Sequence, residues 1–279
     1  SASGFGNFWF PVNITGGQAL TSLNALLANP ENHYVNLHTS SNAGGAVRGQ
    51  VAAEDTRHPV IVDVISAVSD ASLRTVAPLG QVTIFGNDLI KVPSNLSGLE
   101  GTTQPVAVNG TSVTIGGMPA PVLAAGYEPA NNPAFYIVAQ VPAEVPAGPR
   151  AVVVRSANGE SNSREILVAP QAPAIYFDGV GGIIARAATL ELVRPDTPAR
   201  AGESLAIIST GLGQTAPPLT TGEVPQAAAA VSGSISVTVG GQQATVAGSS
   251  VVPNFLGFYV TLFQMPSGVA AGNAPVVLR

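Results

Sequence analysis

Alternation of apolar and polar positions dominates this chain. In "NFWFPVNIT" the residues Phe8, Phe10, Val12 and Ile14 share one face, while Trp9, Pro11 and the polar residues share the other. That period of two predicts a strand. The period then changes. "TGGQALTSLNALLAN" sets Leu20, Leu23, Leu26 and Leu27 three and four apart, which predicts a short helix, with Thr15 and Gln18 placed as a capping box. Beyond it the strand signal returns. "QVTIF" and "SLAII" are β-branched runs that stop at Gly, Asn or Thr. "SVTIGGMPAPVLAA" reads as strand, Gly-Gly turn, strand, because Gly-Gly is a favoured two-residue hairpin loop. "AFYIVAQVP" and "GFYVTLFQMP" are apolar strands closed by a proline, which has no N–H to give a ladder. "GPRAVVVRS" and "GNAPVVLR" supply the next strands.

These strands recur. "SVTIGG" at 112–117 returns as "SVTVGG" at 236–241, and the same offset of 124 pairs Gln140 with Gln264, Pro142 with Pro266, Gly148 with Gly272 and Arg155 with Arg279. Residues 112–155 and 236–279 share 16 identities in 44 positions without a gap, so the domain is duplicated. About seven short strands in each roughly 100-residue copy predict an all-β architecture of two tandem immunoglobulin-like β-sandwiches. A small N-terminal β-rich segment with one short helix precedes them. The expected divisions are 1–53, 58–170 and 175–279.

The motifs "GQVTIFGNDL", "VTIGGMPAPVL" and "YIVAQVPAEVPAGPRAVVV" resemble the IPT/TIG-type immunoglobulin-like repeats of secreted bacterial surface proteins, over roughly 60–279. The resemblance implies spacers, binding modules or assembly units. "ENHYVNLHTSSNAGGAVRGQV" resembles the closing segment of a chordin-type domain, whose earlier strands this stretch lacks.

The two copies differ at their ends. The first continues from "AVVVR" through a "SANGE" turn into "SREILVA" (163–169), whereas the second has reached Arg279. Its last sheet is therefore expected to leave Val276, Val277 and Leu278 at an unpaired edge, a template for another strand. Three explanations stand open. The sequence is a portion of a longer one; another stretch such as 171–200 takes the place; or a strand from a second copy is added. Phe8, Trp9, Phe10, Val12 and Ile14 are the candidate donor, with an ordinary strand in their own N-terminal sheet as the competing reading. No charged-then-apolar leader precedes Ser1, so any signal peptide is expected to lie outside these residues.

Composition adds mainly exclusions. Charged residues are 10%, the net charge is -5, and no Lys/Arg cluster exists, so no nucleic-acid partner is expected. No apolar run is long enough for a membrane span. With no cysteine there are neither disulfides nor thiolate metal sites. Abundant Thr, Ser, Asn and Gly with little Lys and Glu lean toward a secreted or cell-surface protein.

Chemistry is sparse. His33, His38 and His58 are the only histidines, and no G-x-S-x-G elbow, H-E-x-x-H, Walker loop, EF-hand or G-x-G-x-x-G is present. No catalytic residue, cofactor or metal is expected, and hence no enzyme. His38 reads as a hydrogen-bonded strand residue, and Arg48 as pairing with a carboxylate or carbonyl. Sequons at Asn13, Asn95 and Asn109 are glycosylation candidates. The Pro- and Thr-rich stretches 93–110 and 214–233 are expected to be exposed loops. The expected function is an extracellular structural subunit that partners itself in a head-to-tail filament or layer. The alternative is an adhesin or carbohydrate-binding module taking surface glycans, which one Trp and five Tyr do little to support.

Overall fold

The computed structural model describes residues 17–51, 58–67, 74–90, 103–128 and 134–279. The chain divides into two compact units, Ser1–Arg57 and His58–Arg279. Phe8, Trp9, Phe10, Val12, Asn13, Ile14 and Asn95 lie outside the described residues. No described helix is long and apolar enough to cross a membrane.

In the first unit the helical spacing gives α1 (Gly17–Ala28), followed by a 3-10 turn at Pro30–Asn32. An antiparallel hairpin follows, β1 (Tyr34–Thr39) with β2 (Asn42–Gln50). Its register sets Tyr34 opposite Gln50 and Asn36 opposite Arg48. Arg48 and Tyr34 thus share a face, and the guanidinium lies 3.6 Å from the centre of the Tyr34 ring. This cation–π contact was not foreseen by a reading that looked for a carboxylate or carbonyl. None of the residues whose exposure is described in this unit is fully buried, and Leu20, Leu27 and Val35 are exposed.

The second unit is two β-sandwich modules in tandem. The first uses β3 (Val60–Ser66), β4 (Thr75–Val76), β5 (Gln81–Asn87), β6 (Ala107–Val108), β7 (Thr111–Ile115), β8 (Met118–Ala120), β9 (Val122–Glu128), β10 (Ala134–Gln140), β11 (Gly148–Ser156), β12 (Gly159–Glu160) and β13 (Arg164–Val168). One sheet runs β3-β5-β10-β9; the other runs β4-β13-β11-β7-β6, with β8 on β7 and β12 on β11. Period-two burial fills the space between them: Val113 and Ile115 from β7, Val152 and Val154 from β11, and Ile166 and Val168 from β13 face Val82, Ile84 and Ile137. The Gly116–Gly117 turn has φ of 60° and 80°, and its repeat Gly240–Gly241 has 56° and 81°. Both residues of each turn need the left-handed region, which is why the sequence keeps two glycines there.

The second module uses β14 (Ala174–Ile175), β15 (Ile184–Arg186), β16 (Ser204–Thr210), β17 (Thr215–Ala216), β18 (Ala230–Val231), β19 (Val237–Val239), β20 (Gln242–Gln243), β21 (Thr245–Val251), β22 (Tyr259–Gln264) and β23 (Val276–Leu278). One sheet runs β14-β16-β22-β21-β18-β17, with β15 also on β16; the other is β20-β19-β23. Matching of paired residues makes β14 and β15 together the counterpart of β3, interrupted by the loop 177–182. The stretch 214–233 is only partly loop, since β17 and β18 extend the sheet beyond β21.

Candidate functional site

Repeat 1 shows what closes a module of this kind. There β11 is flanked on both sides, by β7 and by β13. β13 in turn lies parallel to β4 and donates from Leu167 N to Arg74 O and from Ala169 N to Val76 O. In repeat 2, β23 matches β11 and β19 matches β7, and among the described residues β23 pairs with β19 alone.

Backbone direction identifies the open side. Arg279 and Ser236 exchange both hydrogen bonds, and Gly240 N donates to Pro275 O, so odd-numbered residues turn their polar groups toward β19. Neighbours along a strand alternate, which turns Ala274, Val276 and Leu278 outward. Of the three sequence-predicted edge residues, Val276 and Leu278 therefore present backbone groups to the open side. Val277 turns its own to β19 and leaves its side chain exposed. Ala274, which sequence reading missed, belongs in its place.

The core beneath this edge differs from that of repeat 1. Around the first core only Val108, Met118 and Phe135 are half-buried among the described apolar residues. Around the second, about as many are half-buried as buried, including Ala199, Ile235, Val246, Met265, Val269, Ala274 and Val276. Ile166 and Val168 of β13 seal the first core at 2% exposure each, and no described segment supplies their counterparts in the second.

Part of the role that β13 plays in repeat 1 falls in repeat 2 to one side chain. The turn Ala77–Gly80 matches Arg200–Glu203, because Gly80 N donates to Ala77 O and Glu203 N to Arg200 O. Arg74 and Val76 therefore match Thr197 and Ala199. In repeat 2 the Arg186 guanidinium donates through Nη2 to Thr197 O at 3.0 Å and to Pro198 O at 3.1 Å, while its Nε meets Glu203 Oε1 at 2.8 Å. A carbonyl that a strand N–H satisfies in repeat 1 is thus satisfied by an arginine.

The Arg200 N–H, and then the Arg186 charge, hold the Glu203 carboxyl below the usual carboxylate range. Its contribution to stability is full above the unfolded-state value and is lost as pH falls through the lowered folded value. We expect the Tm of the second module to fall below about pH 4.3 and Glu203→Gln to flatten part of that decline. An unchanged Tm profile in the variant would contradict this role. Asp178 is likewise lowered, by the Gly181 and Val180 N–H groups ahead of Arg194.

The modules meet through buried amides. Gln81 Nε2 donates to Leu256 O at 2.5 Å, Tyr176 OH donates to Gln81 Oε1 at 2.8 Å, and Gln81 N donates to Thr210 Oγ1 at 3.1 Å. Gln140 Oε1 accepts from Gly222 N at 2.8 Å, and Gln104 N donates to Gly222 O. Tyr176 also stacks on Phe258, with ring centres 4.6 Å apart. Burial drives the hydroxyls of Tyr176 and Tyr259 upward in pKa, and Tyr259 OH donates to Gly213 O at 2.7 Å. The repeat itself held a clue: Gln140 is buried at this junction, while its copy Gln264 is exposed.

The remaining sequence candidates are scattered. Asn109 sits exposed at φ 49° in the turn between β6 and β7. His33 and His38 each place Nδ1 against a backbone oxygen, of Asn29 and Ala43, and the His58 ring packs beside Gly159. Among the described residues no three His, Asp or Glu side chains group as a metal site. A cleft of about 440 Å³ at the junction is lined by groups such as Pro78, Val168, Leu212, Gln171 and Gln214, with no ionisable side chain.

No family model matches the sequence, and no curated protein matches it. Among solved structures, similarity is found to the SGBP-B protein of the Bacteroides ovatus mixed-linkage glucan utilization locus, in complex with a mixed-linkage heptasaccharide. The TM-score is 0.32 at 15% identity, over 88% of this chain and 47% of that one. Domains 4–9 of the surface layer protein SbsC give a TM-score of 0.19 at 13% identity, over 84% and 30%. The chain spans less than half the length of either solved chain.

Proposed function

We propose that this chain is a non-enzymatic structural subunit of an extracellular surface assembly, built from IPT/TIG-type modules after a chordin-like segment. In this reading the open edge of β23 takes an extended strand from a second copy. The observation that carries it is the outward-facing backbone of Ala274 and Val276 above a half-buried core, at the place where β13 pairs with their counterparts Arg150 and Val152 in repeat 1. Strand addition suits such an edge because main-chain hydrogen bonds supply affinity and alternate side-chain pockets supply specificity. The amide-locked junction adds support, since a subunit that transmits its neighbour's position along a filament needs modules that do not swivel. A head-to-tail contact of this type is heterologous and propagates.

Grafting residues 161–169 after Arg279 tests this. The graft carries Ile166 and Val168 into the gap, each worth about 1.5–3 kcal/mol when buried, and competes with any strand from outside. The expected result in sedimentation velocity is a concentration-dependent ladder for the parent chain and a single monomer for the graft, whose Tm is higher by several degrees. A parent chain that is monomeric at every concentration would contradict assembly and would leave the edge to a following segment of a longer chain.

A further inference from the structure

Repeat 2 reaches back over repeat 1 with the stretch 214–233, whose Pro and Thr content had suggested an exposed loop. Both ends of the stretch belong to the second module. There β17 pairs with β18, Val224 is buried, and Asn254 N donates to Pro225 O at 2.7 Å. Its middle is a turn, 220–223, that holds its own shape. The Glu223 carboxylate accepts from Thr220 N at 3.0 Å and from Thr220 Oγ1 at 2.9 Å, and Glu223 N donates to Thr220 O at 3.1 Å. None of these bonds involves repeat 1. The turn is therefore formed within its own module and offers Thr221 and Gly222 to the other.

Repeat 1 takes hold of those two residues. Gln104 N donates to Gly222 O and Gly222 N donates to Gln140 Oε1, each at 2.8 Å. Ala143 N donates to Thr221 Oγ1 at 2.8 Å, and that hydroxyl donates in turn to the Glu144 carboxylate. Thr103 and Glu223 form a bridge beside them. At the base of the stretch Gln214 Nε2 donates to Ala143 O at 2.9 Å. The contact also needs glycine at 222. Its φ is 78°, and a Cβ there would stand 3.1 Å from Gln104 O and 3.2 Å from Pro121 Cγ.

We infer that the turn 220–223 is a latch that fixes the angle between the two modules. Releasing it lets repeat 2 swing about the Gln81 contact while both modules stay folded. The lever arm carries this inference. In the sheet β3-β5-β10-β9, Gln81 begins β5. The latch instead bonds Gln140 at the end of β10 and Gln104, whose amide donates to Val122 O at the start of β9. The two contacts thus lie one to two strands apart, about 5–10 Å. A contact on one strand leaves a rotation about itself, and a second contact on the neighbouring strands removes it. None of the four turn residues belongs to either core, so release leaves both cores covered. The latch acts within one chain and holds whether or not copies assemble.

Two spin labels read the angle, because the chain has no cysteine of its own. Glu165→Cys on β13 and Gln243→Cys on β20 put one label at an exposed position of each module, away from the junction. The labelled full chain is diluted in unlabelled protein, so that only distances within one molecule are read. Double electron–electron resonance should give a single narrow distance distribution for the parent, and the same for Gln81→Leu, whose latch is intact. Thr221→Val combined with Gln140→Leu removes three of the latch bonds and none of the turn's own. It should widen or shift the distribution by about 5 Å or more, one strand spacing, with the parent's circular dichroism. Gly222→Ala, which forces the latch open by crowding alone, should do the same. The parent distribution in both latch variants, or loss of the β-sheet spectrum in both, would overturn the inference. So would widening confined to Gln81→Leu.

Discussion

Gly86→Val should destabilise the first module by ~3 kcal/mol or more, lowering the Tm of the 58–279 unit by roughly 6–12 °C. Gly86 lies in β5, opposite Ile61 of β3 and Phe135 of β10. A Cβ on Gly86 would stand 1.9 Å from Val60 O and 3.0 Å from Leu89 Cδ2. The first obstacle is backbone, so no rotamer change relieves it. The β3 ladder shifts register between Ile61 and Asp63, and this bulge brings the Val60 carbonyl close over the glycine. Relief requires β3 to leave the sheet, which uncovers Ile61 and Val64, both buried in the core. Ala at the same position should show the same effect in smaller measure. Chemical denaturation read by circular dichroism would check it, and a variant with the parent midpoint would show that β3 and β5 are spaced differently.

The second large effect is expected at the junction, where Gln81→Leu should split one unfolding transition into two. Gln81 is 6% exposed and bonds both Tyr176 and Leu256 of the following module. Leucine has a similar volume and no polar atom. It leaves the Leu256 carbonyl buried without its partner and removes one acceptor from the Tyr176 hydroxyl, at a cost of about 2 kcal/mol. That cost falls wholly on the contact between modules, because neither core contains the Gln81 side chain. Scanning calorimetry should therefore report a second module melting separately and earlier. A single transition at the parent temperature would mean that the bonds of Gln140 and Gln104 to Gly222 and of Ala143 to Thr221 suffice to couple the repeats.

The architecture was legible because it is local. The glycine pairs at 116–117 and 240–241 and the period-two runs in β7, β11 and β13 each depend on neighbours a few residues away, and duplication exposed them twice. Comparing the copies drew attention to β23, which among the described residues pairs with β19 alone, but not to which of its backbone groups face away from β19. The parity that turns Val277 inward and Ala274 outward is fixed by the Arg279–Ser236 exchange, a contact between residues 43 apart that no pattern announces. Arg186 and Thr197 were also out of reach, since a charged residue after "GGIIA" looks like an ordinary strand end. Gln81 bonds groups 95 and 175 residues distant. Side chains that meet only through the fold leave no periodic mark.

Amide hydrogen exchange at Ala274 and Val276 tests the edge most directly, with their counterparts Arg150 and Val152 of repeat 1, which pair with β13, as internal references. An unfilled edge that binds a second copy predicts fast exchange at Ala274 and Val276 in dilute protein. It also predicts protection approaching that of Val152 as concentration rises and multimers form, with no change at the references. Protection equal to the references in dilute monomer, independent of concentration, would mean that the edge is already closed and would contradict the account.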